Sequence, residues 1–380
     1  MLHRLIPRRA SKGYAPMTRA TAKSGIGAVL ALALLTACGG ADNAAGSGSG
    51  EAAAQPLRTV SYGTISGSSS DAALFMGIEA GFFEEEGVEI EIVDFNSGAL
   101  VVPPLATGDL DVGSGSPSAG LFNAVAQGVQ IKIVAEKARV VPPGHMAFLV
   151  SKALVDSGEF QDVADLKGRT VALGGVGTVA DRALAEWLAE GGLTVADVNV
   201  TQVAYGDQIA ALQNGSIAAA VGLEPSVSTA VAKGAAVRWG GSTDVVPGTQ
   251  VASAILFNEA FATDERDLAT DFLRAYVRSV RAYNDALEPD TGSLVGDKGE
   301  EVANILTKYT NVTDPAAFLS TPLHGVDPNA RPSVEGIEAD FDYWTKAGLI
   351  KGEVTVEDAL DLSLLEEVLD DLGPYERAAE

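Results

Sequence analysis

Four short stretches combine the residue types that hold a small ligand without metal or cationic side chain: Ser66-Gly67-Ser68-Ser69-Ser70-Asp71, Asn96-Ser97-Gly98, Gly115-Ser116-Pro117-Ser118 and Gly174-Gly175-Val176-Gly177-Thr178. Hydroxyls and exposed backbone N–H groups at the start of a helix attract a carboxylate, sulfonate or nitrate. Each helix terminus contributes about 0.3–1 kcal/mol, or about 2 when partly buried. The candidate ligand-binding residues are Ser66, Ser68, Ser69, Ser70, Asn96, Ser97, Gly98, Ser116, Ser118, Gly175, Gly177 and Thr178. Ser, Gly and Asp are equally what caps and turns require. Recurrence of such loops after successive strands favours a cleft lining over capping alone. Asp71 fits a helix cap, but facing the cleft it would repel an anion, which leaves a neutral or amine-bearing ligand open.

The elements that must position these loops alternate between strand and helix. Strands are expected at 58–62, 88–95, 109–113 and 130–136, with helices at 72–80 and 117–128 and a helix or turn at 98–107 interrupted by Pro103-Pro104. The rhythm restarts with strands at 146–151, 170–173, 198–204 and 218–221, and helices at 179–190, 207–214 and 224–233. One more strand, 250–257, precedes a helical C-terminal part that includes 264–284. This order predicts βα units with mainly parallel sheets. Two similar runs and a late return predict two lobes, residues 57–140 plus 250–380 and residues 141–249. Ligands of open α/β sheets sit at the carboxyl ends of the strands, where these loops lie.

Ahead of the lobes, the chain begins with basic residues, then an apolar run from Ile26 to Leu35, then small residues before Cys38. This is the order of a secretory signal, and the run is shorter than the roughly 20 residues a spanning helix needs. Leu35-Thr36-Ala37-Cys38 resembles the bacterial lipobox, which makes 1–37 a signal peptide and Cys38 a lipidation site; the other reading is a cleaved signal with an incidental cysteine. Acyl chains anchor at about 0.8 kcal/mol per buried methylene. Residues 38–56, rich in Gly, Ala and Ser, read as a flexible tether. Translation can start at Met1 or Met17, and Arg8-Arg9 leaves the export route open. The expected location is the outer face of the cell membrane, held by lipid.

Residues 1–37 carry six of the 26 Lys and Arg and none of the 51 Asp and Glu, so the remainder has a net charge near −31. Nucleic acid is a poor partner for such a surface. With Cys38, the sole cysteine, acylated, no disulfide is available and stability rests on apolar packing.

Several ordered motifs carry a resemblance: Gly81-Phe82-Phe83-Glu84-Glu85-Glu86-Gly87-Val88, Ala106-Thr107-Gly108-Asp109-Leu110-Asp111-Val112-Gly113, the run from Asn123 to Val134, Asp165-Leu166-Lys167-Gly168-Arg169-Thr170, Ala210 to Ala220, and Glu224-Pro225. Together with Asp327-Pro328-Asn329, Trp344 to Ile350 and Asp361 to Leu365, they resemble the solute-binding proteins of ABC importers, in the NMT1/THI5-like branch serving nitrate, sulfonates, taurine and the thiamine pyrimidine precursor. The resemblance implies an α/β fold, a two-lobed periplasmic-binding-protein-like (type II) clamshell hinged by two crossing strands. It also implies a small-molecule solute in the cleft, no catalysis, no cofactor, a monomer, and a permease partner with a separate ATPase subunit. Glu224 joins the ligand-binding candidates on this basis. An envelope-anchored sensor and a THI5-like pyrimidine synthase are the alternatives, the latter opposed by the lack of any cysteine after Cys38.

Other signals are set aside. Gly175-Val176-Gly177-Thr178 mimics a dinucleotide fingerprint, but the next strand ends in Tyr205-Gly206 where an acidic residue is needed. At Val112 to Pro117 a nucleophile elbow would need a glycine placed differently. His145 and His324 are too far apart in sequence to suggest zinc. Tyr62, Phe75, Tyr205 and Trp239 are candidate stacking residues, and Arg139 and Arg331 candidate clamps for a carboxylate or sulfonate.

Overall fold

The β-branched and aromatic run Arg58–Ile65 (β1) forms the first strand, followed by Val88–Phe95 (β2), Val112–Gly115 (β3) and Ile131–Arg139 (β4). The next five strands are Met146–Ser151 (β5), Thr170–Leu173 (β6), Asn199–Gln202 (β7), Ala219–Leu223 (β8) and Ala236–Gly241 (β9). Val251–Asn258 (β10) then returns to the first sheet, whose order is β2-β1-β3-β10-β4. The second sheet is β7-β6-β8-β5-β9. This computed structural model describes residues 56–95, 100–142, 144–289 and 291–377, all within one compact unit, Ala54–Glu380. The expected signal at 1–37, Cys38, the tether up to residue 55 and the candidates Asn96, Ser97 and Gly98 lie outside the described residues.

Both sheets follow one plan. β1 pairs in parallel with β2 and β3, and β10 runs antiparallel to both β3 and β4. In the second sheet β6 is parallel to β7 and β8, while β5 is antiparallel to β8 and β9. Four of five strands in each sheet therefore point the same way, and the reversed one lies second from the edge. β5 and β10 are each buried along most of their length, as expected of strands covered on both faces.

Each sheet is sealed by apolar helix faces. Leu74, Phe272 and Tyr276 belong to the core on one face of the first sheet, and Leu105, Phe122 and Trp344 to the core on the other. The second sheet buries Phe148 flat against Trp187, ring centroids 4.4 Å apart, on one face and Leu149, Leu212 and Val227 on the other. Each such side chain contributes about 1.5–3 kcal/mol by leaving water. The late helix Val334–Lys346 belongs to the first lobe through Ile337 and Trp344.

Two connections join the sheets, residues 140–145 between β4 and β5 and residues 242–250 between β9 and β10. They run side by side: Val140 N donates to the Gln250 carbonyl at 3.0 Å, next to the Arg139–Val251 pair of the β4–β10 ladder. Beside this crossing, the buried Arg182 meets Asp340 at 3.1 Å and Gln250 Nε2 donates to the same carboxylate at 3.2 Å.

Three local expectations change. Pro103 and Pro104 do not interrupt a helix; they open Val102–Thr107 at its first positions, where a missing N–H costs nothing. β9 was not expected, because Arg238, Trp239 and Gly240 give it the polar, small-residue character of an edge. Asp71 makes no cap hydrogen bond at the helix Ala72–Glu79 and serves a different purpose.

Candidate functional site

A small cavity of about 20 Å³, room for about one water, lies where the first lobe faces the hinge end of the second. Ser69, Phe318, Leu323 and His324 line it from the first lobe, and His145, Glu224 and Pro225 from the other side. Phe318 and Leu323 are rooted in the first lobe's core, which fixes that wall. His145 ends the first crossing and precedes β5, and Glu224 follows β8, so the sheet and the hinge position the opposite wall.

The two histidines, remote in sequence, have ring centroids 3.7 Å apart. Both Nδ1 atoms are buried without a hydrogen-bond partner among the described residues. Burial and the neighbouring His324 hold His145 well below the ordinary histidine range. Burial, with the Lys137 ammonium nearby, pushes His324 down to about 3. Both imidazoles are neutral at pH 7, each carrying one donor and one acceptor nitrogen.

Behind His324 sits a closed ion pair. Asp71 accepts from Lys137 Nζ at 2.9 Å, from Tyr62 Oη at 2.6 Å and from Thr64 Oγ1 at 2.7 Å. The Lys137 and Asp71 side chains are 1% and 0% exposed, so the charges balance out of water. Burial and the Asp71 carboxylate raise Tyr62 well above an ordinary phenol. On the opposite wall Glu224 accepts from Arg238 Nη1 at 3.2 Å and from Ser228 N at 2.9 Å.

The remaining expected residues fall in two places. Ser66 is exposed, while Ser68 and Ser70 hydrogen-bond each other at 2.7 Å. Ser116 donates to the Pro117 carbonyl, and Ser118 caps the helix Ala119–Ala126 by accepting from Leu121 N at 3.2 Å. Thr178 caps Val179–Glu190 in a reciprocal box with Asp181, and the Gly175 carbonyl accepts from its hydroxyl. These last two loops meet across the lobes. Ala119 N donates to the Gly177 carbonyl at 2.9 Å, and Trp344 Nε1 to the Thr178 carbonyl at 3.2 Å. Asp181, beneath them, is raised to about 6 by burial, against the backbone hydrogen bonds from Thr178 and Gly177.

The stacking and clamp candidates resolve differently from expectation. Arg139 is bound to Glu136 through Nε and Nη2, at 2.6 and 2.9 Å, and Arg331 to Glu366, so neither is a clamp. Phe75 stacks on Tyr309 in the core, Tyr62 is enclosed, and Tyr205 packs on Gly174. Trp239 is 40% exposed, edge-on to Phe160, beside Asp162 and Glu190 on the outside of the second lobe. Sequence reasoning missed Lys137, Arg238, and the histidines as a pair; no local spacing announces them.

With this geometry in view, the family profile described as NMT1/THI5 like matches residues 69–290, more than half the chain. The chain belongs to the NMT1/THI5-like family. A search of curated protein sequences found no match. Among solved structures, the periplasmic aliphatic sulphonate binding protein SsuA from Escherichia coli superposes with a TM-score of 0.63 at 19% identity, over 82% of this chain and 100% of that chain. The periplasmic nitrate-binding protein NrtA from Synechocystis PCC 6803 gives 0.68 at 16% identity, over 83% of this chain and 89% of that one. The desulfurization enzyme DSZB gives 0.60 at 16% identity, over 83% and 99%. At these identities the likeness establishes the two-lobed, periplasmic-binding-protein-like α/β fold. Most of the similar structures are binding proteins, with an enzyme among them. No helix among the described residues is long and apolar enough to cross a membrane.

Proposed function

We propose that this NMT1/THI5-like protein is the solute receptor of an ABC importer, tethered through Cys38 outside the cell membrane and acting as a monomer. The observation that carries the reading is the pair of sheets joined by two connections that run side by side, the arrangement a hinge needs to close on one small molecule. The solute enters between open lobes and is enclosed at the His145–His324 wall. The closed form then docks on a permease whose ATPase is a separate chain. Closure follows ligand only because the ligand binds the closed form more tightly. Kinship with the SsuA and NrtA fold supports a solute-binding role, as does the secretory character of 1–37.

DSZB, solved also as a cysteine-to-serine variant with biphenyl-2-sulfinic acid, gives an enzyme reading a foothold. Against it, the only cysteine is Cys38, in the proposed anchor. Among the described residues no cluster of three metal-ligating side chains exists, and the two cavity histidines lie against each other, their rings tilted by 40°, with no carboxylate hydrogen-bonded to either Nδ1. Catalysis is therefore left out of the proposal.

A thermal-shift screen over amides, alcohols, heterocycles, carboxylates, sulfonates, amines and nitrate tests the receptor reading. At least one solute is expected to raise the melting temperature and, by small-angle scattering, to favour the compact form. A panel without effect sinks the proposal, and a ligand recovered chemically altered turns it into the enzyme. Cys38→Ala is expected to move the protein from the membrane to the soluble fraction.

A further inference from the structure

The second sheet ends in β9, and the register of β9 on β5 slips by one residue. Phe148 pairs with Gly240 and Leu149 with Arg238, which leaves Trp239 as the extra residue of a β-bulge. A bulge re-aims a side chain out of the strand's alternation. Here the indole is 40% exposed and stands at 87° to the buried Phe160 ring, centroids 4.8 Å apart. The other two tryptophans, Trp187 and Trp344, are enclosed.

Trp239 borders an open groove of about 440 Å³ whose other walls are Asp162, Val163, Ala164, Glu190 and Gly191. Backbone contact fixes its floor: a side chain on Gly191 would begin 2.5 Å from Ala164 N, so the end of the helix Val179–Glu190 lies directly on residues 163–164. Ala164 N donates to one Asp162 carboxylate oxygen at 2.8 Å. Neither Asp162 nor Glu190 has a cationic partner among the described residues. The cations of the same stretch are engaged elsewhere, Lys167 with Asp197 and Arg169 with Glu159. A helix of 12 residues, about 18 Å long, separates the groove from the loop 174–178 that meets the first lobe. The groove is thus distinct from the interlobe site and owes nothing to the receptor reading.

An indole face attracts cations, above all a guanidinium, whose plane stacks on the ring while its N–H groups reach carboxylates alongside. The groove supplies both partners, on a strongly acidic chain. Because it is open on one side, a free cation would keep one face in water. A side chain carried in a protein interface has that face covered, and both attractions strengthen as water leaves. We propose that this groove docks an arginine side chain of a partner protein with a basic surface, the guanidinium stacking on Trp239 and pairing with Asp162 and Glu190.

Acrylamide quenching of tryptophan emission from the full chain tests this, since Trp239 is the exposed indole. The probes are an acetylated, amidated glycine–serine peptide with one central arginine, the same peptide with citrulline or lysine, and acetylarginine amide alone. The arginine peptide is expected to shield Trp239 and to bind about tenfold more tightly than the citrulline peptide, which matches its shape without the charge. The lysine peptide and acetylarginine amide are expected to bind about threefold or more weakly than the arginine peptide. Saturation-transfer NMR follows variants that lack the reporter. Trp239→Leu keeps apolar cover on Phe160 but removes the indole face, and is expected to cost the arginine peptide about tenfold. Glu190→Gln, at an exposed position that decides the matter should Trp239→Leu not fold, is expected to cost it about threefold and to leave the citrulline peptide unchanged. Equal binding of the arginine and citrulline peptides, an indole left unshielded, or full affinity in Glu190→Gln overturns the inference. Equal binding of the lysine peptide overturns the choice of arginine, and equal binding of acetylarginine amide overturns the protein partner in favour of a free cation.

Discussion

Replacing Lys137 by methionine tests the most exacting charge arrangement in the first lobe. The change keeps the length of the stem and removes the ammonium, leaving the Asp71 carboxylate with the Tyr62 and Thr64 hydroxyls as donors. Asp71 and Lys137 are both almost wholly enclosed. Breaking such a pair from one side costs about 3–5 kcal/mol, because the surviving charge stays out of water. The two remaining hydrogen bonds, each worth about 1 kcal/mol, were present before and offset nothing new. Lys137→Met is therefore expected to lose about 3 kcal/mol or more in urea unfolding followed by circular dichroism, with an unchanged denaturant slope. Asp71→Asn added to it removes the stranded charge and is expected to recover at least half of the loss, a coupling of about 1.5 kcal/mol or more. A Lys137→Met protein within about 1 kcal/mol of the original, or strictly additive effects, would refute the account of a dry pair.

Three further outcomes follow from the same coordinates. Burial depresses His324 to about 3 and raises Asp181 to about 6, so the two pull stability in opposite directions on acidification. The unfolded chain binds the extra proton at His324 below about pH 6.5, whereas the native protein binds it at Asp181 below about pH 6. Asp181→Asn should make the urea midpoint fall more steeply from pH 6 to 4 and His324→Gln less steeply; identical slopes in all three proteins would contradict both assignments. Gly177→Ala places a Cβ 3.1 Å from Ala119 Cβ at a φ of +78°, a conformation costing an L-residue about 1–2 kcal/mol, and should loosen lobe contact as seen by scattering at equal fold content. Arg182→Met should cost about 3 kcal/mol by stranding Asp340, with Asp340→Asn restoring most of it; an unaffected midpoint would remove this pair as a support of the crossing.

The architecture was legible because strand and helix periods alternate cleanly. The buried run of β5 and the late apolar strand β10 announce themselves by composition. β9 escaped because Arg238, Trp239 and Gly240 serve an edge, where period-two burial is weak. Among the described residues, the hydroxyl-rich loops at 66–71, 115–118 and 174–178 precede helices at strand ends, and the capping alternative accounts for Ser118 and Thr178. Asp71 was misjudged because the groups that claim it lie on β1 and β4, and only tertiary contact supplies them. Lys137 in β4 looks like any strand lysine, and Arg139 looked available until Glu136 and Asp327 reached it. His145 and His324 come from opposite ends of the fold, a meeting no local pattern records.

The route of the chain has a consequence for biogenesis. The strands of the second lobe are contiguous from β5 to β9, so that half can finish folding as soon as it emerges. The first half cannot. In its sheet, β4 has β10 as its strand neighbour, with single bridges to Gly325 and Leu360, and all of these are synthesised after the whole second lobe. Until then Ile131–Arg139 presents an unpaired edge of nine residues, five apolar and four charged, a template on which neighbouring chains can pair. A holdase that shields this edge during synthesis, and lets go once Val251–Asn258 has arrived, would raise the yield of native protein more than one acting on any segment of the second lobe.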